Sequence, residues 1–200
     1  MTTISNVKVY DLEESVIAAR NAMRLTPPEY TEEEFNKSLE RAVKLTDSGI
    51  KTGISCHSNY LVGIRVSFDI TYPQYLTPEM QRYHFFDIIS SQSTMHCLPK
   101  FDLCKSYCEY VDERMIAIMQ RLLNNYNNNK TVENRLKLLY SNPCCFILTA
   151  RITTNYLQLK TIYAQRKNHT LPEWRLFCKW IEQLPYSNLI TGGKNGTGLS

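Results

Sequence analysis

The sequence predicts an α+β fold, one domain in which helices pack on a mixed or antiparallel sheet. Three observations predict it. Tyr60 to Ile70 alternates apolar and polar residues, as a strand with one face on a core does. Phe146 to Thr154 is a second β-like run, in which Ile147, Thr149, Ile152, Thr153 and Thr154 are all β-branched. Around these runs lie several amphipathic stretches with helix caps, without the regular β-α alternation of a doubly wound sheet. The 200 residues suffice for one domain with a sizeable core. That domain is expected over 1–188, with 189–200 as a flexible tail.

The elements follow in chain order. Glu14 to Arg24 reads as a short helix with Val16, Ile17, Ala19 and Met23 loosely on one side, stopped by Pro27-Pro28. Thr31-Glu32-Glu33-Glu34 is a capping box. It opens a helix carrying Phe35, Leu39, Val43 and Leu45, with Gly49 just past its end. After the Tyr60–Ile70 strand, Thr77-Pro78 is an N-cap followed by proline at the first helical position. The helix it starts would carry Met80, Arg82, His84, Phe85 and Ile88. Phe101 to Asn125 reads as the longest amphipathic helix, burying Cys104, Cys108, Val111, Met115, Ile118, Met119 and Leu122. The asparagine-rich run from Asn124 to Lys130 reads as a loop, and Val132 to Tyr140 as a short helix before Pro143. Asn155 is a good N-cap for a helix from Tyr156 to Lys167. Pro172 begins a final helix with Trp174, Phe177, Cys178, Trp180 and Ile181.

Composition narrows the function classes. No stretch approaches the ~18–20 apolar residues of a membrane span. The opening Met1-Thr2-Thr3-Ile4-Ser5 lacks the basic start and apolar core of a signal peptide, so a cytoplasmic location is expected. Seven cysteines, an odd number without a C-x-x-C pair, read as free, mostly buried thiols in a reducing compartment. The formal net charge of +4 is spread along the chain, unlike the dense basic stripe of a duplex-binding protein, so nucleic acid is disfavoured as a partner.

The general motifs of cofactor and nucleophile chemistry are missing. There is no Gly-x-Gly-x-x-Gly, no Gly-Lys-Ser/Thr and no Gly-x-Ser-x-Gly. No helix follows the glycine-rich stretch 191–198, so a phosphate-cradling loop is not expected there. His84 and His96 bracket a polar run with only Asp87 near, a poor metal site, and no metal is expected. One cluster concentrates anion-binding groups around a helix: Arg151, Asn155, Lys160, Gln165, Arg166, Lys167 and His169. Asn155 stands at the helix N-terminus, where free N–H groups and the dipole favour a phosphate. A solvated basic face is the competing reading.

In these parts and their order the chain resembles the flavin-dependent thymidylate synthases. Ala18-Ala19-Arg20 matches that family's early Ala-Ala-Arg, and Gly49, Thr52 and His57 its Gly-x-x-Thr turn and histidine before a long strand. Pro143 opens the later stretch, followed by Thr153-Thr154-Asn155, Arg166, His169 and Glu173-Trp174. The likeness covers most of residues 12 to 184. The family's signature, Arg-His-Arg-x-x-Ser-x-Asn-Glu-x-Ser-x-Arg-Tyr, is eroded. Aligned without gaps from Arg82, only Arg82 is kept, His84 stands for the second arginine, Gln92 replaces the later serine and Thr94 the later arginine. Arginine holds phosphate by paired, charge-assisted hydrogen bonds that threonine cannot supply.

The resemblance implies a homotetramer that binds FAD between subunits. It implies transfer of a one-carbon unit from methylenetetrahydrofolate to C5 of dUMP, with NADPH as reductant. On this carry-over Thr52, Arg82, His84 and Asn155 would face the cofactor, and Arg166 and Gln92 the pyrimidine nucleotide. Three functional readings follow: a divergent enzyme of this kind, the same fold kept as a nucleotide-binding or interaction protein without catalysis, and an unrelated α+β protein that binds nucleic acid.

Overall fold

A four-stranded sheet in the order β1-β2-β4-β3 organises the molecule, and every neighbouring pair is antiparallel. In the computed structural model the backbone is described for residues 2–52 and 56–192, and the side chains for 2–46 and 58–192. The strands are β1 (Thr3–Tyr10), β2 (Arg65–Pro73), β3 (Asp87–Ser91) and β4 (Ile147–Asn155). The α+β expectation holds, with a purely antiparallel sheet.

The two central strands follow from their alternation. Ile64, Val66, Phe68 and Ile70 are buried, as are Ala150 and Ile152 opposite them on β4. On the other face Ser67 and Thr153 hydroxyls meet at 3.1 Å, and those of Thr71 and Thr149 at 2.9 Å. Between them Arg151 pairs with Asp69 at 3.1 Å. Tyr60 and Leu61, expected at the head of the strand, instead form a 3-10 turn, Cys56–Val62.

Both edge strands are additions to the sequence reading. On β1, Asn6 adopts a left-handed φ of 51°, and two residues (Asn6 and Val7) face one on β2, which is a bulge. The bulge breaks the alternation that marks a strand, while Asn tolerates the conformation. Its amide donates to Asp69 Oδ2 at 2.6 Å, and its carbonyl accepts from Arg151 at 2.9 Å. On β3, Asp87–Ser91 pairs with β4 across residues that the helix pattern would have claimed. The helix begun at Thr77, α3, ends at Met80.

Helices cover the apolar face. Helix α1 is Leu12–Ala18, and the stretch expected to continue it becomes a separate 3-10 turn at Asn21–Met23. This break lets Arg20 and Arg24 both reach Glu34, the first at 2.8 Å. Helix α2 runs Glu32–Thr52, through Gly49 rather than ending before it, and is the longest described. Thr31 Oγ1 does accept from the Glu34 N–H, but the Glu34 carboxylate goes to the two arginines and Ser38 and not back to the cap. Gly63 allows α1 to approach, since a Cβ there would lie 2.2 Å from Ser15 Oγ.

The longest expected helix shortens. Helix α4 is Thr94–Cys97, and α5 is Glu113–Asn128. Residues 101–111 are irregular because Tyr107 pairs with Phe146, extending the β4 end of the sheet. Of the expected stripe, only Met119 is buried. Helix α5 also runs into the asparagine-rich stretch that reads as a loop. Helix α6, Val132–Tyr140, has the expected bounds. With Leu98, Leu103, Tyr107, Phe146 and Leu148, helices α5 and α6 enclose a second small core.

The C-terminal helices complete the main core. Helix α7 is Tyr156–Arg166, capped by Asn155, whose Oδ1 accepts from the Gln158 N–H at 2.8 Å. Helix α8, Pro172–Ile181, brings Phe177 and Trp180 to within 5.9 and 4.6 Å of the Phe68 ring on β2. Each such aromatic pair adds about 0.5–1.5 kcal/mol to the burial itself. A last helix, α9, is Asn188–Thr191, with Leu189 and Ile190 fully in the core. The flexible tail expected from 189 is corrected accordingly: these two side chains are apolar anchors, and 193–200 lies outside the described residues. The six described cysteines are free, but only Cys178 is buried, which corrects the expectation of mostly buried thiols. Among the described residues no helix is long and apolar enough to cross a membrane.

Candidate functional site

The segment from Glu79 to Phe86 lies along α7, antiparallel to it, and side chains from β4 and α7 pin it in place. Phe85 N–H donates to Gln158 Oε1 at 3.3 Å, and its carbonyl accepts from Thr154 Oγ1 at 2.7 Å. Further along α7, Arg166 Nε donates to the Tyr83 hydroxyl at 2.7 Å, and that hydroxyl donates to Gln165 Oε1 at 3.1 Å. Tyr83 and Phe86 point into the core, whereas Arg82 and His84 are exposed. The pinned backbone thus presents two basic side chains outward from one side of α7.

Asn155 stands at the N-terminal end of the same helix. His84 lies near that end, because Gln158 and Thr154 hold the N–H and the carbonyl of Phe85, the residue that follows it, whereas Tyr83, next to Arg82, bonds Gln165 and Arg166 at the other end of α7. Asn155 itself is buried and spends its Oδ1 on the cap. Thr52 is the last residue of α2, and its side chain lies outside the described residues.

Gln92 sits elsewhere. Its N–H donates to the Thr149 carbonyl at 3.0 Å and its Oε1 accepts from the Thr149 N–H at 2.9 Å. The side chain extends the β3–β4 ladder by one step. Thr149 is six residues from Asn155 on β4, so Gln92 lies ~20 Å along the strand from the start of α7.

Arg166 is eleven residues along α7 from Asn155, ~16 Å by the helical rise. It is a different group from the solvated arginine of a basic helix face. Its side chain is 14 % exposed, ion-paired to Glu79 at 3.0 Å, and stacked 4.9 Å from the Trp174 ring. Glu79 Oε2 also accepts from Trp174 Nε1 at 2.7 Å, and His169 Nε2 lies 2.8 Å from the guanidinium. The basic cluster read from the sequence therefore disperses. Arg151 serves the outer face of the sheet, Lys160 donates to Ser58 Oγ at 3.0 Å, and Lys167 stands over the Tyr163 ring. Arg166 and His169 remain together, with Gln165 joined to Arg166 through the Tyr83 hydroxyl.

Burial sets the protonation behaviour of the tyrosines around this core. It pushes the Tyr156 hydroxyl far above its ordinary value, so Tyr156 stays a neutral donor to the Pro185 carbonyl at 2.6 Å. Burial first, and then the Glu173 carboxylate, likewise raise Tyr75. Among the described residues no group of three or more His, Cys, Asp or Glu side chains could hold a metal ion.

Sequence reasoning missed Glu79, Tyr83, Thr154 and Gln158. Gln158 left a signal: Asn155-x-x-Gln158 has the spacing of a capping box. Its side chain goes to Phe85, however, and not back to the cap. Glu79 left none, since its partners Arg166 and Trp174 are distant in the chain.

Comparison with solved structures then shows what this fold is. The chain is similar to the flavin-dependent thymidylate synthase ThyX of Helicobacter pylori complexed with FAD and dUMP. One structure of it gives a TM-score of 0.74 at 15 % identity, covering 98 % of this chain and 100 % of the other. A second gives 0.72 at 16 % identity over 93 % and 95 %. A UMP/dUMP methylase, PolB of Streptomyces cacaoi bound with 5-Br dUMP, gives 0.62 at 11 % identity over 91 % and 88 %. The fold is that of these proteins. No sequence pattern of a known family matches the chain, and no curated protein sequence does.

Proposed function

We propose that this protein is a divergent flavin-dependent thymidylate synthase-like enzyme that modifies a pyrimidine deoxynucleotide. The observation that carries the reading is a fold matching ThyX over nearly its whole length, and the exposed His84 beside the start of α7, held through Phe85, supports it. The reaction would be transfer of a one-carbon unit from methylenetetrahydrofolate to C5 of dUMP, with NADPH as reductant. Bound FAD would supply the redox chemistry.

The residues present fit the flavin better than the nucleotide. Arg82 and His84 are exposed basic side chains on a backbone fixed by Gln158 and Thr154, ready to meet a diphosphate. Asn155 and, at the end of α2, Thr52 complete the proposed cofactor contacts. Arg166 would hold the nucleotide by charge-assisted hydrogen bonds, but it must share its guanidinium with Glu79. Gln92, engaged with Thr149, would have to leave the ladder edge to reach a pyrimidine.

That engagement of Arg166 and Gln92 favours a second reading, a nucleotide-binding protein on the same fold that has lost catalysis. The two separate by experiment. Both predict flavin absorbance in protein purified with FAD. Only the first predicts that dTMP forms from dUMP. Colourless protein after incubation with FAD would sink both.

A shared cofactor site requires copies of the chain to assemble, as a tetramer in the proposed reading. Ile89, Met95 and Phe85 are 62 %, 56 % and 49 % exposed on and beside edge strand β3, apolar surface consistent with such a contact. Light scattering that gives a monomer at micromolar concentration would contradict it. The proposed compartment is the cytoplasm.

A further inference from the structure

A groove of about 980 Å³ opens between α1, the 3-10 turn after it and α2, and Arg82, His84 and Asn155 are not among its lining residues. Its size is that of ordinary ligand pockets. Ala18, Ala19 and Ala22 line one wall, so a ligand could approach the backbone closely. Met23, 83 % exposed, stands at the same wall as a flexible apolar contact. Across from it the wall is α2, where Lys37, Arg41 and Lys44 follow at intervals of four and three residues along one helix face.

The charge of this groove is unbalanced. Four of its lining residues are cations (Arg20, Lys37, Arg41, Lys44) and one, Glu40, is an anion; with Arg20 paired outside the lining, the three cations of α2 exceed Glu40 by two positive charges. Arg20 is engaged with Glu34. Lys37, Arg41 and Lys44 have no ion pair or hydrogen bond among the described residues, although Glu40 lies on the same helix within pairing distance in sequence. Like charges three and four apart cost a helix a few tenths of a kcal/mol each.

We propose that this groove binds a ligand carrying two or more linked phosphate groups, of the nucleoside di- or triphosphate class. Lys37 to Lys44 spans ~10 Å of helix. That row suits an extended polyanion better than one phosphate, which two of the side chains would already saturate. The planar guanidinium of Arg41 at its centre can engage two phosphate oxygens at once. The alanine wall and Met23 would take the uncharged end of the ligand.

The test is calorimetric titration of the full chain with ATP, tripolyphosphate and dUMP at physiological ionic strength. Three variants accompany it. Lys37→Gln/Arg41→Gln/Lys44→Gln removes the groove cations. Lys100→Gln/Arg121→Gln/Lys130→Gln removes equal charge from exposed positions elsewhere. Ala22→Phe fills the groove and keeps every charge. The expected result is that ATP binds wild type at least tenfold more tightly than dUMP does. The groove triple and Ala22→Phe should each lose at least tenfold for ATP, while the control triple stays within twofold. Tripolyphosphate binding as tightly as ATP would assign the site to the phosphates alone, and tighter ATP to a nucleoside polyphosphate. No ATP binding to wild type, equal losses in the two triple variants, or unchanged binding in Ala22→Phe would each overturn the proposal. Far-UV circular dichroism of each variant confirms folding. Should the groove triple not fold, Ala22→Phe and the single variant Arg41→Gln decide. Neither flavin nor turnover is read, so this result is independent of the catalytic reading.

Discussion

Replacing Arg166 by alanine should destabilise the protein far more than loss of a surface arginine would. The substitution deletes the ion pair to Glu79 at 3.0 Å, the hydrogen bond to the Tyr83 hydroxyl at 2.7 Å and the stack on Trp174 at 4.9 Å. It also leaves the Glu79 carboxylate, 28 % exposed, with the Trp174 N–H as its remaining described partner. Breaking a fully buried pair costs about 3–5 kcal/mol, a surface pair about 0–1 kcal/mol. With 14 % and 28 % exposure this pair stands between the two limits, nearer the buried one. A loss of about 2–3 kcal/mol is therefore expected. Urea unfolding followed by circular dichroism measures it, through a lower midpoint at unchanged slope. Glu79→Gln keeps an acceptor for Trp174, and should cost less. The double variant should then lose about 1 kcal/mol less than the sum of the two singles. An Arg166→Ala protein within about 0.5 kcal/mol of wild type would refute the network and return Arg166 to a solvated role.

Four further outcomes are expected. Val66 is wholly buried on the central strand β2, so Val66→Asp should unfold the protein through an unpaired buried charge, and a soluble, cooperatively unfolding variant would count against that placement. Gly63→Ala sets a Cβ 2.2 Å from Ser15 Oγ and 3.2 Å from its Cβ; it should cost about 1–3 kcal/mol, most of it recovered in combination with Ser15→Ala. Asn155→Ala removes the α7 cap and should cost about 0.5–2 kcal/mol in thermal or urea unfolding. The Arg24 hydrogen bond above all holds Glu34 below the ordinary carboxylate value, and the Asn6 amide followed by Arg151 does the same for Asp69. A depressed folded-state value means that their stabilisation is complete above the unfolded-chain value and is lost as pH falls through the folded one. Glu34→Gln and Asp69→Asn should each flatten the acid limb of a stability–pH curve, and an unchanged limb would deny them that part.

What was legible in the sequence was local. Helices α6, α7 and α8 appear close to where the sequence places them, because Pro143 ends the first and Asn155 and Pro172 fix the starts of the other two within a few residues. The central strands β2 and β4 were legible because one face of each is apolar. The edge strands were not. Ser90 and Ser91 carry no apolar alternation, and Asn6 interrupts that of β1, so partner strands far along the chain define both. Residues 101–111 misled for the opposite reason: Cys104, Cys108 and Val111 fall at helical spacing, yet pairing of Tyr107 with Phe146 takes the backbone away. In the candidate site the order of Arg82, His84, Asn155 and Arg166 was readable, whereas the partner of Arg166 was not. Glu79 is 87 residues away (166 − 79), and a neutralising contact across that distance leaves no local pattern.

The central claim is tested most directly by product analysis of purified protein reconstituted with FAD and supplied with dUMP, methylenetetrahydrofolate and NADPH. The account predicts dTMP, formed only when flavin is present and lost in Arg82→Ala. Protein that binds FAD and yields no dTMP under these conditions would contradict it, and would leave a nucleotide-binding protein on the thymidylate synthase fold.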